Sequence, residues 1–293
     1  MTGQVVYCQV NKDYAYWIEK RRLGQLKGGH VAGWLSYVEA GMVKQNILFD
    51  TGLGTLEGLA DAAPDTFWDE PLVVFITHGH IDHHAELMIL SEIYCQRRGK
   101  NIHDVRPPVH VFSTAETRKH LFRTHRYGYT GGKSLRHRPL TPGQAVQVGL
   151  FNITPLPVDH FEGAVIFLIE FELSRPHKII IGWDTTTLPF NYIERLRRPS
   201  LALLETTTWS PLAAEIGHSG VEDLVQSGFL AGLEVQYRPE QEQYGAYLVH
   251  YSGWEDPHGA LTDPQLKATF DQTFPAFAPV VQVAQRGQRW CFS

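Results

Sequence analysis

Cysteine is scarce in this sequence of 293 residues, and Cys8, Cys95 and Cys291 are too few and odd in number for a disulfide framework. No run of about 18 apolar residues occurs, which argues against a membrane-spanning segment. Segment 1–17 lacks a basic region followed by an apolar stretch, so no secretory signal peptide is expected. These absences predict a cytoplasmic protein that does not contact a membrane.

An excess of positive charge is also missing, because 26 Lys and Arg face 31 Asp and Glu, for a formal charge of −5. A protein that coats polyanions with its whole surface is therefore not expected, although a local basic patch remains open. The content of 43% hydrophobic and 19% charged residues is typical of a globular chain and not of a disordered one. Histidine, in contrast, is abundant at 15 residues.

Strands and helices are predicted along most of the chain. Apolar runs bounded by Gly, Pro or Asp predict strands at Val31–Val38, Asn46–Phe49, Leu72–Ile76, Val109–Phe112, Phe151–Pro155, Ala164–Phe171, Lys178–Ile181, Leu201–Leu204 and Ala246–Val249. Helical spacing and capping residues predict helices at His84–Arg97, Thr114–Arg123, Val221–Ser227 and Thr262–Phe274. Because groups of consecutive strands occur, we expect mixed sheets with helices outside them.

A dense histidine cluster directly follows the predicted strand Leu72–Ile76. It contains His78, His80, Asp82 and His83 within six residues. Three imidazoles and a carboxylate at this density form a ligand set that suits zinc. Because side chains alternate along an extended segment, the first two histidines can point the same way, while the last two residues lie around the turn and can reach a second ion.

Three later strands each lead into a residue that can bind metal. His160 follows the strand that begins at Phe151, Asp184 follows Lys178–Ile181, and His250 follows Ala246–Val249. A carboxylate after a buried strand is costly unless it is paired or binds metal. Each residue alone could be a helix cap or a core histidine, but together they predict a shared site.

The order of these residues, with Asp50-Thr51-Gly52 before them, resembles the metallo-β-lactamase superfamily from about Asn46 to Trp290. The resemblance implies the α/β (α+β) class, as one four-layer αββα sandwich domain over residues 1–293. It also implies two divalent ions, with Zn²⁺ as the default and Mn²⁺ or Fe as alternatives. By the same resemblance, one ion is held by His78, His80 and His160, the other by Asp82, His83 and His250, with Asp184 bridging and Asp50 beneath.

Further residues resemble the tRNase Z and PhnP-like phosphodiesterase branch. Leu201–Leu204 runs into Glu205, His218 precedes a predicted helix, and Val281–Trp290 resembles the terminal strand of that branch. The resemblance implies that His218 is the general acid and that Glu205 orients it, so the candidate catalytic residues are Asp82, Glu205 and His218. The long arm of tRNA-processing members is missing between the third histidine and the bridging aspartate, so tRNA is not expected as substrate.

The predicted function is therefore a dinuclear metal-dependent hydrolase, foremost a phosphodiesterase that uses a metal-bridging hydroxide. Two alternatives remain: a lactone or other ester hydrolase of the same fold, and a non-catalytic metal- or ligand-binding accessory protein. The expected substrate is a small anion, with a nucleotide-like compound as one possibility. A homodimer stays open.

One segment departs from the acidic background. Residues 117–138 contain seven Lys and Arg and no Asp or Glu, with Tyr127 and Tyr129 among glycines. We interpret it as a basic insertion, acting either as a cationic flap for an anionic substrate or as a solvated face. Whether this segment or His258 reaches the site stays open at this point.

Overall fold

Strand pairing divides the chain into two sheets of seven strands. The computed structural model describes residues 4–11, 32–62, 68, 70–97, 108–131, 134–210, 217–239, 243–251, 261–285 and 287–293. The first sheet contains β1 (Gln4–Asn11), β2 (Ala32–Glu39), β3 (Met42–Phe49), β4 (Leu72–Phe75), β5 (Val109–Ser113), β6 (Leu135–Pro139) and β14 (Arg289–Phe292). Its order is β14-β1-β2-β3-β4-β5-β6.

The second sheet is formed by the middle and later part of the chain. It contains β7 (Val146–Val148), β8 (Phe151–Pro157), β9 (Val165–Glu172), β10 (Pro176–Gly182), β11 (Leu201–Glu205), β12 (Ala246–Val249) and β13 (Val281–Val283). Its order is β13-β12-β11-β10-β9-β8-β7.

The sheets pack face to face because their central strands are apolar on both sides. In β10, Ile179 and Ile181 point into the core between the sheets, while Ile180 belongs to the core on the outer face. Phe49 of the first sheet meets Phe167 of the second, with ring centroids 5.4 Å apart. Each side chain buried in this way stabilises the fold by about 1.5–3 kcal/mol.

Helices cover the outer face of each sheet. They are α1 (Thr55–Ala62), α2 (Leu87–Arg97), α3 (Ala115–Thr124), α4 (Arg126–Thr130), α5 (Ile193–Leu196), α6 (Val221–Gln226), α7 (Phe229–Gly232) and α8 (Asp263–Thr273). The first four pack on the first sheet and the last four on the second. This arrangement confirms the predicted four-layer αββα sandwich. None of the described helices is long and apolar enough to cross a membrane.

Each sheet contains a run of parallel strands whose carboxyl ends lie along one edge. β3 to β6 are parallel in the first sheet, and β10 to β13 are parallel in the second. Loops leaving the carboxyl ends of parallel strands are the usual position of a functional site in α/β folds. Most of the predicted site residues lie at or just after the ends of these strands and of β8, whereas His218 lies shortly before α6.

Two predicted elements differ from the observed ones. Val281–Trp290, predicted as one terminal strand, contains β13 and the start of β14, which belong to different sheets. The chain turns between them at Gly287, which has a φ of 75° that favours glycine. β1, β6 and β7 were not among the predicted strands.

The segment 117–138, which the sequence predicts as an insertion, consists mainly of regular elements. It contains most of α3, all of α4 and most of β6, which pairs in parallel with β5. Gly128 of α4 is buried, and a Cβ there would lie 2.8 Å from Met88 Sδ and from Leu135 Cδ1. This glycine therefore permits α4 to pack closely against α2 and β6. Lys133 lies outside the described residues.

Candidate metal centre

The loop after β4 supplies the first group of ligand-type side chains. The chain leaves β4 and passes His78 and His80 before the 3-10 turn Ile81–His83. His78 Nε2 lies 2.9 Å from His80 Nδ1. His160, on the loop after β8, places its Nε2 3.3 Å from the same His80 nitrogen. Three imidazole nitrogens therefore converge on one point.

A second group surrounds Asp184, which follows the end of β10. Asp184 Oδ2 lies 3.0 Å from His83 Nε2, and Oδ1 lies 3.5 Å from His250 Nε2. Asp184 Oδ1 is also 4.0 Å from His160 Nε2, so this carboxylate faces the first group as well. Asp82 Oδ2 approaches His83 Nε2 at 3.6 Å, and its side chain is 36% exposed.

Four of these histidines have Nδ1 engaged by a partner outside the two groups. The pairs are His78 with the Thr77 hydroxyl (3.0 Å), His83 with Asp50 (2.8 Å), His160 with the Gly217 carbonyl, and His250 with the Thr207 hydroxyl (2.9 Å). A carboxylate or carbonyl oxygen only accepts, so the ring proton of His83 and His160 lies on Nδ1. Each Nε2 is thereby directed at the centre, as in metal-binding histidines.

The atoms between His83 and Asp184 fit a cation. His83 Nε2 and Asp184 Oδ2 are buried, and neither atom has a hydrogen-bond partner in acceptable geometry among the described residues. Burial disfavours a charged His83, yet the Asp184 and Asp50 carboxylates hold its pKa well above the ordinary value. This position therefore favours positive charge. A set of imidazoles and carboxylates suits Zn²⁺ and also Mn²⁺ or Fe.

Neighbouring charges also set the protonation of two other groups. Burial, and next the charge of His83, hold the pKa of His78 well below its ordinary value, so His78 is neutral and can offer a lone pair. Burial disfavours the Asp184 carboxylate, but His250 and His83 hold the pKa of Asp184 well below the usual range. The centre therefore combines a neutral imidazole with an ionised carboxylate.

Asp50 connects the two sheets beneath the centre and is fully buried. Its Oδ1 accepts from the Thr77 backbone N–H at 2.8 Å. Its Oδ2 accepts from the Thr77 hydroxyl at 2.7 Å, from Trp183 Nε1 at 2.7 Å and from His83. One carboxylate thus ties the ends of β3, β4 and β10 together, and a buried carboxylate of this kind needs all of these donors.

Three of the site residues have left-handed backbone conformations. Asp50, Asp184 and His250 have φ values of 59°, 57° and 62°. Such a conformation costs of order 1 kcal/mol or more for a residue other than glycine, although Asp and His tolerate it better than most. At each of these strand ends, the left-handed residue breaks the extended path of the strand.

Glu205 and His218 form a pair beside Asp184. Glu205 ends β11 and is buried, and its Oε1 contacts His218 Nδ1. The Thr207 hydroxyl donates to the same oxygen at 2.7 Å, and the Thr185 backbone N–H donates to Oε2. Burial opposes protonation of His218, but the Glu205 hydrogen bond and charge raise its pKa above the ordinary value. The His218 side chain is 19% exposed, so a ligand can reach it.

An aromatic rim borders the first histidine group. The Phe161 ring lies 4.3 Å from the His80 ring and 5.0 Å from the His120 ring of α3. A Cβ at Gly79 would come within 2.8 Å of the His120 ring, so α3 packs directly on the backbone between His78 and His80. Side chains of α3 therefore reach the edge of the centre.

The structure brings all the predicted site residues together at one edge of the sandwich. The residues so assembled are His78, His80, Asp82, His83, His160, Asp184, Glu205, His218 and His250. His258 lies outside the described residues. The sequence prediction missed Thr77, Thr207 and the Gly217 carbonyl, which orient the histidines. Thr77 and Thr207 each lie within two residues of a predicted site residue, which was the available signal.

Comparison with known proteins gives one family and several similar structures. The model of the Beta-lactamase superfamily domain matches residues 45–235 of this chain. That span contains every predicted site residue except His250. No curated protein matches the chain.

Three solved structures illustrate the shared fold. A diphosphatase from the PhnP family has a TM-score of 0.66 and 15% identity, covering 98% of this chain and 97% of that chain. Zn²⁺-bound PqqB from Methylobacterium extorquens has a TM-score of 0.65 and 13% identity, covering 97% and 99%. The short form of human tRNase Z has a TM-score of 0.59 and 15% identity, covering 98% and 98%. Likeness at these identities shows the fold.

Proposed function

The chain belongs to the metallo-β-lactamase superfamily, and from that premise we propose that it is a dinuclear metal-dependent hydrolase that cleaves a phosphodiester. The observation that carries the proposal is the Glu205–His218 pair beside the converging ligands. Ligands alone fit any hydrolase of this fold, whereas a histidine with a raised pKa beside them also supplies a proton donor.

Two sets of residues would hold the ions. His78, His80 and His160 would hold one, and Asp82, His83 and His250 would hold the other, with Asp184 facing both groups. Divalent ions at such sites make a water nucleophilic near neutral pH and neutralise charge on the phosphate oxygens. The Asp82 side chain is 36% exposed, so a water or substrate at the centre could approach its carboxylate, in keeping with a catalytic role for Asp82.

His218 would protonate the departing oxygen. Because Glu205 engages Nδ1, the Nε2 proton is the one that His218 can give to a ligand. Loss of that proton leaves a neutral imidazole. Glu205 is itself held by Thr207 and the Thr185 backbone, so the His218 ring is fixed before substrate binds. A positioned acid of this type contributes about 10²–10⁴-fold to the rate.

His218→Ala tests the proposal through its dependence on the leaving group. Turnover of a dialkyl-type phosphodiester should fall about 10²–10⁴-fold, because its alkoxide leaves poorly without a proton. Turnover of bis(p-nitrophenyl) phosphate should fall much less, since p-nitrophenolate leaves without help. Metal content, measured by elemental analysis, should not change.

Glu205→Gln is the companion variant. It leaves the His218 ring in place and keeps the size of the side chain at position 205, but it removes the negative charge that faces His218. It should reproduce part of the selective loss. Equal losses on both substrates would assign His218 to positioning instead. Hydrolysis of lactones with no hydrolysis of either diester would contradict the phosphodiesterase proposal and favour an ester hydrolase.

A further inference from the structure

A basic groove lies on the outer surface of α3 and α4. Its volume is about 500 Å³. Its lining consists of one small residue, one aromatic ring and four cations: Ala115, Phe122, Arg118, Lys119, Arg123 and Arg126. This groove, called the α3 groove below, is the most cationic part of the segment 117–138. It shares no residue with the metal centre.

The arginines of the α3 groove differ from those of the second half of the chain. Arg118, Arg123 and Arg126 are exposed, and none pairs with a carboxylate among the described residues. Arginines around α5, in contrast, form the pairs Arg195–Glu170, Arg197–Glu194 and Arg198–Glu234. What sets these three guanidinium groups apart is that they line one groove together, and they form a local positive region on a chain of net charge −5.

The floor of the groove orients one of these arginines. The Arg118 guanidinium lies over the Phe122 ring, 5.4 Å from its centroid. Tyr129 stacks on Phe122 with ring centroids 5.3 Å apart and an angle of 21° between the planes. Because these two groups occupy Phe122, the ring is not available to stack on a base, and the groove is suited to anionic groups.

The groove borders the metal centre. Lys119 lines the groove and pairs with Glu162 at 3.3 Å, two residues after the predicted ligand His160. The next residue of α3, His120, contacts Phe161 at the rim of the centre. α3 therefore carries residues of the groove and a residue at the rim of the centre, and a chain-like ligand that crosses this helix would contact both.

We propose that the α3 groove binds the phosphate backbone of a short single-stranded oligonucleotide. The inference rests on the proposed function, because it places one phosphodiester of the same molecule at the metal centre. Arg118 and Arg123 are about 7.5 Å apart along the axis of α3, and Arg126 begins α4, so the three can contact successive phosphates instead of a single one. A guanidinium group can form two parallel hydrogen bonds to the oxygens of one phosphate. Contacts to phosphates do not distinguish one base sequence from another.

The first test measures binding without hydrolysis. The probe is a fluorescein-labelled hexathymidylate with phosphorothioate linkages, added to metal-loaded protein and followed by anisotropy. Arg123→Gln and Arg126→Gln should each weaken binding about fivefold, the upper end for an exposed ion pair. Each should also reduce the slope of log K against log salt by about 0.7, the value for one phosphate of a single strand.

Two controls isolate the groove. Arg97→Gln makes the same charge change at an exposed arginine of α2, outside the groove, and should leave binding unchanged. A hexathymidylate with uncharged methylphosphonate linkages should not bind with a measurable constant. Equal weakening by Arg97→Gln, or binding of the uncharged probe, would overturn the proposal.

A kinetic test separates this inference from the proposed function. With unmodified hexathymidylate, Arg126→Gln should raise KM about fivefold, whereas KM for bis(p-nitrophenyl) phosphate should stay unchanged because that diester does not reach the groove. Arginine-dependent binding without hydrolysis of any diester would support the groove and overturn the proposed function. Hydrolysis with no response to Arg123→Gln or Arg126→Gln would overturn the groove alone.

Discussion

The two ends of β10 are equally buried and yet serve different purposes. His177, near its start, and Asp184, just beyond its end, are each 3% exposed. The His177 ring stacks on Phe171, with centroids 5.1 Å apart, and meets Phe292 edge-on at 5.3 Å, so two aromatic rings flank it, while Nδ1 lies 3.4 Å from the Ser200 hydroxyl. Burial, and next the charge of Arg175, lower its pKa, and His177 stays neutral.

At the other end, the neighbours of Asp184 are themselves chemically reactive groups. His83 and His250 face its carboxylate, and their charges hold its pKa below the usual range although burial opposes this. The difference teaches that burial of a polar side chain does not by itself identify a functional site. A functional site is identified when several lone pairs converge on one point, because only a bound ligand can satisfy all of them together.

The largest expected effect comes from removing the carboxylate at the polar end. Asp184→Ala should abolish binding of at least one ion and lower hydrolysis by more than about 10³-fold, because its two oxygens face both ligand groups. Elemental analysis and turnover of bis(p-nitrophenyl) phosphate measure the two effects. His177→Gln, at the apolar end, should retain the full metal content. A full complement in Asp184→Ala would show that this carboxylate is not shared.

A smaller effect should follow from changing Asp50, which supports the centre without facing it. In Asp50→Asn, one oxygen becomes a donor that must face Thr77, Trp183 or His83, all of which already donate. We expect metal affinity to fall about 10–100-fold, measured by competition with a chelator. Trp183→Phe removes a single donor and should cost less. An equal loss in both variants would mean that the donors act only through packing.

The smallest expected effect is on the pH dependence of stability, through His177 near the start of β10. The pKa of His177 is lowered in the folded protein, whereas the unfolded chain binds a proton at about pH 6.5. Below that pH the unfolded state holds more protons, so stability falls as the solution is acidified toward the folded pKa. Urea unfolding at pH 7.5 and 5.5 should therefore show a smaller acid-induced loss for His177→Phe than for the parent. An identical loss in both proteins would contradict this.

The sequence predicts the part of the centre that is local. His78, His80, Asp82 and His83 lie on the single loop after β4, so their spacing alone indicates shared ligands. Most predicted strands match the observed ones. The orienting layer could not be predicted, because its members are common residues and one is a backbone carbonyl. Their roles depend on which loops meet at the edge, and that is fixed by sheet topology.

The α3 groove shows the same limit from another direction. Its positive charges are visible in the sequence, and the segment 117–138 was predicted to be basic. Its place in the fold is not visible there, because Gly128 permits a packed α4 where the sequence predicts an insertion. Whether an arginine has a carboxylate partner depends in part on acidic residues distant in sequence, as in the pairs Arg195–Glu170 and Arg198–Glu234.

The left-handed residues at the strand ends predict how this site would change in the course of evolution. At positions 184 and 250, glycine or asparagine would relax the backbone, so the native residue is not the one that selection for stability alone would favour. At these two positions the side chain faces the metal centre, which gives a reason to keep it despite the cost in backbone energy. In a relative that has lost the chemistry but must still fold, these positions should drift first, toward glycine and asparagine. Such replacements, more than loss of core residues, would mark descendants that retain the sandwich without its activity.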